Sequence, residues 1–172
     1  ALSVGSPATA DRWVVLEDND PYKYNYGYGT PTFALVFDGA NGADRVGSAL
    51  YSVVDGYNGQ VATEWQNITI PPGGSVAYMH FLVQHSSLAA AQASAERLSL
   101  LPPEALDGLN NEELMSIRNF DMPADGLSTQ PPLPALTGMV TGQALASDGV
   151  TPLPYAQVTF RTDNLLYQRD MT

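Results

Sequence analysis

SVAYMHFLVQH, residues Ser75–His85, is the clearest strand pattern in the chain. It follows PPGG (71–74), a run of turn-forming residues that punctuates whatever precedes it. In an extended strand successive side chains point to opposite sides. One face would then carry Val76, Tyr78, His80 and Leu82, and the other Ala77, Met79, Phe81 and Val83. Both sets are largely apolar, which predicts a central strand covered on each side.

Toward the N-terminus the same signal recurs in shorter pieces. WVVL (13–16), TFALVF (32–37), ALYSVV (49–54), VATEW (61–65) and ITI (68–70) are rich in β-branched and aromatic residues. Between them stand Asp38-Gly39, Asn41-Gly42, Asp55-Gly56 and Asn58-Gly59, pairs that tolerate positive φ in tight turns. Short strands at such spacing predict a mainly β fold, an antiparallel β-sandwich, over residues 1–122.

Toward the C-terminus the period changes. Leu88, Ala91, Ala95 and Leu98 recur three or four residues apart, predicting a helix near 88–101 with Ser86 or Ser87 as its cap. Pro102-Pro103 ends it and suits the first turn of a second helix, near 103–108. Asn110 or Asn111 then caps a third, near 111–120, carrying Leu114, Ile117 and Phe120, with Glu112 and Glu113 in its first turn. These helices are read as cover over an end or face of the sheet. Residues 123–135 form a Pro-rich linker, stiffened into an extended spacer.

The segment 136–172 opens with LTGMVTGQALASDGVTPLPYAQVTFRT (136–162), two strand patterns joined by Asp148-Gly149 and Pro152-Leu-Pro154. This run resembles the opening hairpin of the carboxypeptidase regulatory-like (transthyretin-like, Ig-like) β-sandwich modules, which are beaded along large secreted and surface proteins. The resemblance covers about a sixth of the chain and rests on turn chemistry and alternation. It implies the truncated start of a second sandwich, a multidomain parent and an extracellular or bacterial cell-surface location. Only ten residues follow Thr162, so the family's further strands are expected to come from elsewhere.

Composition narrows the function classes. The 172 residues carry seven basic and eighteen acidic side chains, a formal charge of -11. The basic residues are scattered, which argues against nucleic acid and anionic membrane surfaces as partners. Cysteine is absent, so disulfides, thiolate metal sites and cysteine nucleophiles are excluded. No apolar run approaches the ~20 residues that span a bilayer. Ala1–Pro7 lacks the basic start and apolar core of a secretory leader, as a processed piece would.

Three constellations invite chemistry. Glu17, Asp18 and Asp20 form one acidic loop, and Asp38 and Asp44 belong to another. Calcium takes six to eight oxygen ligands that loops deliver well, so these five are candidate calcium ligands if the loops converge; otherwise they are turn residues. Tyr22, Tyr24, Tyr26 and Tyr28 alternate strictly. On an extended segment they form one aromatic row for a sugar or protein ligand, although Asn25, Gly27 and Gly29 favour a loop. His80 and His85 lie five apart and point to opposite faces of a strand, so each is read as a structural histidine. Neither a Gly-x-Ser-x-Gly elbow nor a phosphate-cradling Gly-x-x-x-x-Gly-Lys loop is present.

The sequence therefore leads to a non-catalytic structural or interaction module of an adhesin-like bacterial surface protein. Its expected partners are neighbouring domains of the same polypeptide and a glycan or protein ligand. Two alternatives stay open: a carbohydrate-binding module with calcium-stabilised loops, and an accessory domain of a secreted hydrolase.

Overall fold

The computed structural model describes residues 7–17, 32–54, 58–135, 137–139, 141–157 and 164–167. Three strands, β1 (Trp13–Leu16), β2 (Thr32–Val36) and β5 (Phe81–His85), form an antiparallel sheet in the order β1-β2-β5. Its register sets Val15 opposite Ala34 and Ala34 opposite Val83. Period-2 alternation then divides the side chains. Trp13, Val15, Ala34, Val36, Phe81 and Val83 line one face, and Val14, Leu16, Leu35 and Leu82 the other.

The first face is covered by helix α1 (Leu88–Leu98), which packs on all three strands. Ala90, Ala91 and Ala95 are fully buried, and their small side chains let the helix approach the sheet closely. Ser87 caps α1 by accepting the Ala90 amide at 3.3 Å. The helix stops three residues short of the expected Leu101, whose φ of 52° turns the chain before Pro102. Two short helices follow, α2 (Pro103–Leu106) and α3 (Asn111–Ser116), and add Leu106 and Leu114 to the same core.

The second face meets a hairpin of β3 (Val46–Val54) and β4 (Asn58–Trp65). Val46, Ala49, Val61 and Trp65 pack there against Val14, Leu35 and Phe37. This cover ends before β5, where Leu82 is 68% exposed although its neighbour Leu35 is half-buried. The result is a small mainly-β fold with antiparallel sheets and few helices.

Three expectations change. The Ser75–His85 run is a strand only from Phe81 onward, and among the described residues it pairs with β2 alone, so β2 is the central strand. Its first half leaves the sheet: the Ala77 amide donates to the Ser116 carbonyl at 2.8 Å, and the Arg118 amide to the Ala77 carbonyl at 3.0 Å. Ile117 is correspondingly extended, with ψ at 130°, and ends α3 at Ser116 rather than near 120. ITI (68–70) is likewise irregular.

The Pro-rich segment lies along the helices. Arg97 of α1 grips Glu104 of α2 through two bonds of 2.6 and 3.0 Å and donates to the Pro131 carbonyl at 2.8 Å. Further on, the 3-10 turn Leu165–Tyr167 returns to α1, and the Tyr167 hydroxyl donates to the Pro134 carbonyl.

Candidate functional site

Asp38 to Arg45 links β2 to β3, and its glycines explain its path. A Cβ on Gly39 would stand 2.3 Å from Cδ1 of Phe120, and one on Gly42 would stand 2.6 Å from the Asn119 backbone carbon. The loop therefore lies flat against residues 118–120. The Gly39 amide donates to the Asn119 carbonyl at 2.8 Å, and the Asp44 amide to the Arg118 carbonyl at 3.0 Å.

Asn119 holds the other side of this knot. Its side chain is fully buried. Nδ2 donates to the carbonyls of Phe37 at 2.8 Å and Met79 at 2.7 Å, while Oδ1 accepts the Met79 amide at 2.9 Å. One amide thus joins three chain segments that secondary structure leaves unpaired.

The charged residues complete it. Asp38 is fully buried: Oδ1 accepts the Gly39 amide at 2.9 Å, and Oδ2 stands 3.1 Å from the Arg45 guanidinium. Loss of water pushes its carboxyl above 3.8, against the pull of Arg45 and of the neighbouring amides. Asp44 accepts from the Arg118 guanidinium at 2.8 Å and from the Tyr78 hydroxyl at 2.7 Å. Desolvation, then the bond to Asp44, raises the Tyr78 phenol to about 12. Tyr78 also packs on Trp65, ring centroids 4.9 Å apart, and His80 meets Trp65 edge-on at 5.3 Å. His80 loses water there and falls below 6.5.

Of the five candidate calcium ligands, Asp38 and Asp44 share this loop but face different cations, and Glu17 lies just after β1. Asp18, Asp20 and the row Tyr22, Tyr24, Tyr26 and Tyr28 lie outside the described residues. Among the described residues no group of three or more His, Asp or Glu side chains is placed to hold a metal ion. The histidines diverge: His85 Nε2 meets Ser94 Oγ of α1 at 2.7 Å, whereas His80 contacts the hairpin.

Sequence reasoning missed Arg45, Tyr78, Arg118 and Asn119. The available signal was Gly39 and Gly42, read as turn residues when they mark close backbone approach.

Beside the knot opens a hollow of about 520 Å³ between Asn41 and Ala43 of the loop, α3, and residues 117–126. Its floor is Leu114, Ile117 and Phe120, at 5%, 9% and 2% exposure. No helix among the described residues is long and apolar enough to cross a membrane. Compared with protein-family models, curated proteins and solved structures, the chain finds no match, and its function is read from this geometry.

Proposed function

We propose that the chain is a non-catalytic structural and interaction module of a larger bacterial extracellular or cell-surface protein, adhesin-like in type. It is built as a sandwich-like first unit followed by the opening of a second. The observation that carries this reading is the use of charge in the knot. Asp38, Asp44, Arg45 and Arg118 engage one another, the Tyr78 hydroxyl and loop backbone. The best-defined polar cluster therefore fixes loops, and the Tyr78 hydroxyl within it is held against Asp44 with its phenol raised to about 12.

Support for a second unit comes from residues 144–153. The Ala146 amide donates to Thr151 at 2.8 Å and the Leu153 amide to Ala144 at 2.9 Å, forming a short ribbon around Asp148-Gly149. Asp148 accepts from the Thr151 hydroxyl and from the Val150 and Thr151 amides, which holds its carboxyl at about 2. Val150 is 76% exposed and Tyr155 wholly so. A two-stranded ribbon is marginal alone, and such side chains suit cover by further β structure.

Thermal unfolding in calcium and in excess chelator tests the structural reading against the calcium-stabilised glycan binder. Coincident curves are expected. A ligand held only by the folded state adds about 2.7 kcal/mol at a hundredfold excess over Kd. A rise of that size with calcium, together with retention on a glycan column, would replace this reading with the alternative.

A further inference from the structure

The hollow beside α3 borders the knot, sharing Arg118 and Phe120 with it, and has the make-up of a ligand site. Its volume, about 520 Å³, falls within the range of small-molecule pockets. The floor is aliphatic and aromatic, while Met115 and Met122 form its walls. Met115 is 85% exposed. Thioether walls adapt to varied apolar shapes, because the side chain is unbranched and polarizable.

Charge selects among apolar ligands. Arg118 lines the hollow, but its guanidinium is already paired with Asp44, so that pair is close to neutral. Asp121 also lines it, is exposed, and has no cation partner among the described residues. Exposed Glu112 and Asp125 are sequence neighbours of lining residues, and the whole chain stands at -11. Such a field concentrates cations and repels anions.

We propose that this hollow binds a small organic ammonium compound, its apolar body over Leu114, Ile117 and Phe120 and its cationic head at Asp121. The test titrates the full chain, with its methionine methyls labelled for NMR, using 4-phenylbutylamine, 4-phenylbutanol and 4-phenylbutyrate. These share a body and differ in head group. The amine is expected to shift the Met115 and Met122 methyls and to bind at least tenfold more tightly than the acid, about 1.4 kcal/mol. Asp121→Asn, an exposed substitution, is expected to bring the amine's affinity to that of the alcohol while other signals stay in place. Equal or tighter binding of the acid would assign the site to Arg118 and overturn the proposal. So would equal binding of all three, unaltered amine affinity in Asp121→Asn, or unmoved methyls at millimolar ligand.

Discussion

At Asn119 the side chain donates twice and accepts once inside a fully buried site. Only a primary amide meets that demand with one group. Tyr78 makes a different kind of tie, because its proton lies between phenol and the Asp44 carboxylate. Ionisation would set two anions side by side. We therefore expect one of the nine tyrosines to titrate near 12 instead of 10, seen as a late phenolate absorbance step that Tyr78→Phe removes. A Tyr78→Phe curve that superimposes on the parent would contradict this.

Asp38 reverses the usual behaviour of carboxylates. Its folded pKa lies above the unfolded 3.8, so its contribution to stability is complete below 3.8 and is lost as pH rises through the folded value. The stability of the parent minus that of Asp38→Asn should therefore grow as pH is lowered from 7 toward 4. Urea unfolding at several pH values measures the difference, and a constant or shrinking gap would refute the assignment. Arg45 is left 40% exposed and can be solvated in the variant, so the variant is expected to fold.

Among the elements, short-range chemistry was legible and long-range pairing was not. β1 was read at its observed bounds, because WVVL sits between polar residues and carries its own pattern. The hairpin β3–β4 was read too short. Val46 to Ser48 is interrupted by a register shift at Gly47, a bulge that breaks alternation in the sequence. The sequence offers Asn110 or Asn111 as the cap, because a side-chain oxygen before Glu112-Glu113 is a local signal, and the structure uses Asn110. Its Oδ1 accepts both their amides at 2.9 and 3.0 Å, while Glu113 reaches back to the Asn110 amide at 2.9 Å. Asn110→Ala should cost about 1 kcal/mol in chemical denaturation, with loss of α3 amide protection; a change indistinguishable from zero would mean that packing alone holds α3. Ile117 and Phe120 continue the helical spacing, but the backbone beside them is claimed elsewhere: Ala77 binds the Ser116 carbonyl and the Arg118 amide, and Gly39 the Asn119 carbonyl, partners some 40 and 80 residues away. No local window contains that competition. The candidate site is legible only as Asp38 and Asp44; Tyr78, Arg118 and Asn119, which complete it, lie in segments that read as strand and helix.

For the whole molecule, cohesion comes from α1 on one sheet face, the hairpin on the other, and the knot that closes their flank. Residues 123–135 belong to this body through Arg97 and through Ser128, whose hydroxyl donates to the Leu101 carbonyl. Beyond them Thr137, Gly138, Met139, Thr141, Gly142 and Gln143 are exposed. Limited proteolysis should therefore cut first within residues 137–143 and leave a resistant fragment ending near Pro134. Early cuts within 123–134 would show that the segment is a free spacer. The central claim is that buried polar groups at 38–45 and 117–120 hold the fold together. Equilibrium unfolding of Asn119→Ala tests it most directly. The substitution leaves the Phe37 and Met79 carbonyls and the Met79 amide without their partner, at ~1–3 kcal/mol each. A loss of about 4 kcal/mol is predicted, and a stability within about 0.5 kcal/mol of the parent, the range of ordinary surface substitutions, would contradict the account.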